Sequence, residues 1–127
     1  MDANIEELKG KTIIRIDGMK ENSDEIDFYT SDGSLYQMYH HQECCESVFV
    51  EDICGDIEDL IGVPLLVAEE RESSENPQNI PDDIIRYQDS FTWTFYHFET
   101  QKGYVDLRWY GESNGYYSES VDFSRIK

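Results

Sequence analysis

The chain has 127 residues and a mass of 14.9 kDa, with a formal net charge of −18 and a pI near 4.2. So acidic a surface repels polyanions, which argues against direct binding of nucleic acid or of an anionic membrane. The longest wholly apolar run, Val63–Ala68, is far too short to span a bilayer.

Hydrophobic content is low at 39%, but aromatic content is high at 13%, which argues for a folded chain because disordered acidic chains are poor in aromatics. The length predicts one domain over residues 1–127. The N-terminal stretch MDANIEELKGK has neither the basic start nor the apolar core of a secretory signal. Of the three cysteines two are adjacent, a poor disulfide framework, so a reducing, cytoplasmic setting is expected.

Residues 4–8 read as a short turn or helix, followed by a strand at Thr12–Asp17. Asp24–Thr30 and Leu35–His40 read as two further strands joined by the turn Ser31-Asp32-Gly33-Ser34. Ser47–Glu51 is a short strand. Ile53, Ile57, Leu60 and Ile61 recur at helical spacing, so a helix is expected over Asp56–Ile61, stopped by Gly62 and Pro64. The strand Pro64–Glu70 follows, and then an exposed loop around 71–85 that is rich in Ser, Pro, Asn and acids. Beyond it lie most of the aromatics, in three runs: Ser90–Glu99, Gly103–Tyr110 and Tyr116–Ile126. With turns at 100–103 and 113–115 these predict a three-stranded antiparallel meander. The expected fold is α+β: one twisted antiparallel sheet of about six strands with one or two short helices packed on it.

The clearest chemical feature is a gap. Between Lys20 and Arg71 there is no lysine or arginine, while fourteen aspartates and glutamates fall in those fifty positions. A compact fold would concentrate them, and Glu43, Glu46, Glu51, Asp52, Asp56, Glu58 and Asp59 are the carboxylates expected to form a docking face for a basic protein. Carboxylates so arrayed can imitate the phosphates of a duplex.

Other constellations are weaker. His40, His41, Cys44 and Cys45 are zinc-type ligands, but adjacent residues on a strand point to opposite faces and no CxxC is present. Cysteine catalysis is disfavoured because nearby carboxylates raise a thiol pKa. Asp52, Asp56, Glu58 and Asp59 lack the alternation of a calcium loop. Arg108, Trp109, Tyr110, Asn114, Tyr116 and Tyr117 make an aromatic corner that could stack a nucleotide-type ligand. No phosphate-binding glycine loop occurs, no cofactor is implied, and no set of acid, base and nucleophile can be assembled, so no enzymatic activity is expected.

Three segments together carry a resemblance: His41-Gln42-Glu43-Cys44-Cys45-Glu46, the run from Glu51 to Gly62, and Ser113-Asn114-Gly115-Tyr116-Tyr117-Ser118. Over about Leu8 to Phe123 the chain resembles a family of small proteins of unknown function found largely in bacteriophages and prophages. The resemblance implies an accessory protein in the bacterial cytoplasm and supplies no catalytic residue. If the family has a common site, it implies Cys44, Cys45, Glu46, Glu51, Asp52, Gly55, Asp56, Asp59 and the turn from Asn114 to Tyr117. The resulting expectation is a monomer or small homo-oligomer that binds and inhibits a host protein with a basic surface, in a defence or nucleic-acid-handling system.

Overall fold

The computed structural model describes residues 3–42, 46–73, 90–113 and 119–127. Among the described residues, eight strands form two four-stranded antiparallel sheets. The first has the order β1-β2-β3-β8, from Ile13–Asp17, Glu25–Thr30, Leu35–Tyr39 and Asp122–Arg125. The second has the order β4-β7-β6-β5, from Ser47–Gly55, Gly103–Ser113, Ser90–Thr100 and Val67–Ser73.

The expected α+β fold is thus overturned: the protein is built of two sheets, and the described residues contain no α-helix, only the 3-10 turns Ile5–Leu8 and Ile57–Leu60. The apolar spacing at 53–61 is real, but Ile53 lies on β4, which runs on to Gly55, leaving too few residues for a helix before Gly62. Asp56 still caps the turn, its side chain accepting from the Glu58 amide at 3.0 Å. At the other turn, Asn4 and Glu7 form a reciprocal capping box.

The meander is also corrected. Strands β6 and β7 pair from Ser90–Ser113 to Thr100–Gly103 as expected, but β8 leaves for the first sheet and pairs with β3, Met38 opposite Phe123. The far side of β7 is occupied by β4, with Val50 opposite Trp109. Phe123 is seated instead by stacking on Tyr36 at 5.5 Å and by edge contact with Phe28 at 6.4 Å. Of the exposed loop expected around 71–85, Arg71–Ser73 are strand, and the remainder lies outside the described residues.

Alternation decides which residues meet. On β2, Ile26, Phe28 and Thr30 are buried while Glu25, Asp27 and Tyr29 face away. On β6 and β7, Tyr96, Phe98, Val105, Leu107 and Trp109 are buried in one core cluster with Ile26, Phe28 and Met38 of the first sheet. Phe28 and Phe98 touch at 5.8 Å between ring centroids, which makes the inter-sheet seam.

The margins of the stack are hydrogen-bonded. The turn after β1 reaches β4, with Asn22 N–H donating to the Val50 carbonyl at 2.7 Å and Val50 N–H to the Ser23 carbonyl at 2.8 Å. The segment after the second 3-10 turn reaches β1 through Gly62 N–H to the Ile13 carbonyl, and Ala3 N–H donates to the Phe123 carbonyl, both at 2.9 Å. Gly55 ends β4 at φ +119°, where a Cβ would collide with the Tyr104 carbonyl, so only glycine fits. Strand β5 is terminal in its sheet and carries four consecutive charged residues, Glu69-Glu70-Arg71-Glu72.

Phe28→Ala opens the seam where the two sheets touch. It should cost about 3–5 kcal/mol of unfolding free energy in urea melts, whereas the same truncation at half-buried Tyr29, which faces away, should cost well under half as much.

Candidate functional site

Two outward faces carry the polar side chains. On the second sheet the register lays them in rows across four strands. One row is Cys54, Asp106, His97 and Glu69; the next is Asp52, Arg108, Phe95 and Arg71. A depression of about 720 Å³ is lined by members of both rows.

His97 is clamped there. Its Nδ1 lies 2.5 Å from Asp106 Oδ1 and its Nε2 lies 3.1 Å from Glu99 Oε1. A neutral imidazole can donate from one nitrogen only, so carboxylates at both ends favour the imidazolium. Hydrogen bonding to Asp106 first, and then to Glu99, raises its pKa above the ordinary 6.5.

Arg108 Nε lies 2.5 Å from Glu51 Oε2, and its guanidinium stacks over Trp93 at 5.4 Å. Asp52 Oδ2 is farther, at 3.8 Å. Arg71 lies 4.5 Å over Phe95 and makes no ion pair among the described residues. Cys54 is an exposed free thiol two strands from His97, with Asp106 in between, so the two do not form a nucleophile and base pair.

The expected docking carboxylates are dispersed. Glu46 is buried with its Oε2 3.9 Å from His40 Nε2, and the Glu51 side chain is buried against Arg108. Asp52 lies on the outward face of the second sheet, Asp56 caps a 3-10 turn, and Glu58 is exposed on that turn. Asp59 is half-buried, and its carbonyl accepts from the Thr100 hydroxyl. Glu43 lies outside the described residues. These side chains do not form one face.

The aromatic corner is drawn inward. Trp109 is fully buried in the core, and Tyr110 is buried against Trp93 at 4.6 Å and Phe49 at 5.9 Å, so neither offers a stacking surface. Arg108 alone reaches the depression. Asn114, Tyr116 and Tyr117 lie outside the described residues. So do Cys44 and Cys45 of the zinc set, while His40 is buried with Nδ1 bonded to the Ser120 carbonyl at 2.9 Å and His41 is exposed beside Tyr39. Among the described residues no group of three His, Cys, Asp or Glu side chains is placed to hold a metal ion.

The outward face of the first sheet is what residue-by-residue reading missed. Asp17 of β1 lies directly opposite Asp27 of β2, with Gln37 and Ser124 continuing the row. The neighbouring row is Glu25, Tyr39 and Asp122. Arg15, bonded to Asp17 at 2.9 Å, is the one basic side chain that the strand register places on this face among the described residues. Like charges directly opposite in an antiparallel pair are destabilising, so this face holds carboxylates at a cost. The signal was available as the alternation Glu25, Asp27, Tyr29 against Ile26, Phe28, Thr30. Placing the partners β1, β3 and β8 beside it required the fold.

Three outcomes follow from these contacts. Arg108→Met leaves the buried Glu51 carboxylate without its counter-ion and should cost on the order of 2–3 kcal/mol in urea melts, more than Glu51→Gln. Because the folded-state pKa of His97 is raised, its stabilisation relative to His97→Gln should be complete below pH 6.5 and lost as pH rises through the native value. NMR titration of the imidazole in Asp106→Asn should show the pKa falling back toward 6.5.

No helix among the described residues is long and apolar enough to cross a membrane. No curated protein and no solved structure matches the chain. A family model does, over residues 6–123, and it is described as a domain of unknown function. That match covers nearly the whole sequence, and the chain therefore belongs to the family DUF7448.

Proposed function

We propose that this protein is a non-enzymatic accessory protein of the phage and prophage type, acting in the bacterial cytoplasm, that binds and inhibits a host protein through an acidic face. The observation that carries the reading is the outward surface of the first sheet. There Asp17, Asp27, Glu25 and Asp122 stand in two adjacent rows, interleaved with Tyr39 and Gln37 and opposed by Arg15 alone among the described residues. This set replaces the more scattered carboxylates at 46–59 as the docking surface.

The physical basis is complementarity. Carboxylates held against their mutual repulsion gain when a cationic surface arrives, and tyrosines supply rigid contact area at small entropic cost. A groove that normally receives nucleic acid is the kind of surface this face fits, since its positive charges are spaced for a polyanion. The long-range negative field of the whole chain would speed encounter and exclude nucleic acid itself.

The test is a pull-down from bacterial lysate with the wild-type chain and with an Asp17→Asn, Asp27→Asn, Asp122→Asn variant. A basic partner should be retained at about 0.05 M salt, released by about 0.5 M, and held at least tenfold more weakly by the variant. Recovery of no partner, or of one indifferent to salt and to the three substitutions, removes the reading.

A further inference from the structure

The depression on the second sheet takes no part in docking at the Asp17 and Asp27 face. Arg71 of β5 and Arg108 of β7 lie there in one row, on either side of Phe95 of β6. Two strand spacings, about 10 Å, separate them at the backbone. With 28 aspartates and glutamates against 10 lysines and arginines, every guanidinium in this chain has carboxylates to spare. Arg71 nevertheless pairs with none among the described residues. It is exposed and lies over the Phe95 ring at 4.5 Å. Arg108 engages Glu51 through Nε, while its Nη2 stands 3.8 Å from Asp52, too far for a hydrogen bond. Its terminal nitrogens donate to no described residue. A guanidinium set on a ring in this way keeps its N–H edge open for a further acceptor.

The neighbouring row has the opposite character. Asp106 and Glu69 flank His97 across it, and the imidazole is committed at both nitrogens, to Asp106 and to Glu99. The two rows lie two residues apart along each strand, roughly 7 Å. Both open into the same depression of about 720 Å³, a size ordinary for small-molecule sites. The depression is therefore polarised. Guanidinium donors stand along one row, carboxylate acceptors along the next, and half-buried Phe95 under Arg71 makes a flat floor.

We propose that this depression binds a flat aromatic carboxylate that carries an amino group at its far end. The carboxylate accepts from the open N–H edges of Arg71 and Arg108, a charge-assisted match of fork to acid. The ring stacks on the Arg71 guanidinium beside Phe95, and the amino group donates to Asp106 or Glu69. Length favours this arrangement. One para-substituted ring spans the roughly 7 Å between rows, whereas an α-amino acid, with both groups on one carbon, reaches a single row. A phosphate ester is a poorer match, because it brings up to two negative charges into a depression where five described lining residues are already carboxylates. The site shares no residue with the Asp17 and Asp27 face and does not depend on it.

The experiment is an NMR titration of backbone amide and arginine Nε–H signals of the full chain with 4-aminobenzoate. Saturable shifts centred on Arg71, Phe95 and Arg108 are expected, with a Kd on the order of 1 mM. Binding should weaken roughly fivefold in Arg71→Gln, roughly threefold for benzoate, which lacks the amino group, and vanish for uncharged 4-aminobenzamide. Arg71 is exposed, so Arg71→Gln keeps the fold, which an unchanged amide spectrum checks. Arg15→Gln, on the other sheet, should leave the Kd unchanged. Shifts that are absent, unaltered in Arg71→Gln, equal for 4-aminobenzamide, or larger at Asp17 and Asp27 than in the depression would overturn the site. Equal binding of benzoate would overturn the two-row geometry, and tighter binding of adenosine 5′-monophosphate would overturn the carboxylate as the ligand class.

Discussion

The contact between Phe28 and Phe98 is the point on which the two sheets are aligned. Each strand offers two faces, and once these rings meet, every other residue of β2 and β6 is committed to the interior or to solvent. Ile26 and Met38 go in with Phe28, as Tyr96, Leu107 and Trp109 go in with Phe98. Asp27, Asp17 and Glu25 on one side, and His97, Asp106 and Arg108 on the other, are left facing outward as a direct result. A shift of one residue in either sheet would exchange the two sets.

Charge is handled differently at each level of this arrangement. Inside, carboxylates are matched: Glu51 by Arg108, and Glu119 by the hydroxyls of Thr92 and Ser113. At the rim, Asp32 is held well below the usual carboxylate range by a hydrogen bond from Lys11, with Thr30 and Ser34 as further donors. Lys11 and Arg125 in turn stand over the ring of buried Tyr36, closing one end of the first sheet. Outside, Asp17 is paired with Arg15 and Asp27 accepts from the Gln37 amide at 3.1 Å, so four carboxylates on these rows share one cation. Of the described cations, Arg108 is the one set against a buried carboxylate, and Arg15 is the one that strand register places on the acidic face.

Local pattern was a good guide wherever the partner was close in sequence. The strands at Leu35–Tyr39 and Glu25–Thr30, the turn through Gly33 and the hairpin between β6 and β7 could all be read from alternation and turn residues. What could not be read was pairing at long range. Nothing near Phe123 states that it will stack on Tyr36 rather than extend the aromatic hairpin, and the turn at 113–115 favoured the wrong answer. The same holds for the candidate site. Glu51 belongs to a long stretch empty of lysine and arginine, yet its counter-ion, Arg108, arrives from 57 residues away and removes it from the surface. Glu46 is also buried, here beside His40, a near neighbour along the chain. A charge gap along the chain does not become a charged face unless strand register keeps those residues on one side.

The four charges of β5 have a bearing on how such a chain behaves at high concentration. The last strand of an open sheet offers a row of unpaired amides and carbonyls onto which a strand from another molecule can add, the first step toward fibres and precipitates. Glu69, Glu70, Arg71 and Glu72 occupy that border in succession, so any incoming strand would have to be laid along repelling side chains. The charges of β5 thus work against its backbone serving as a template for a second chain.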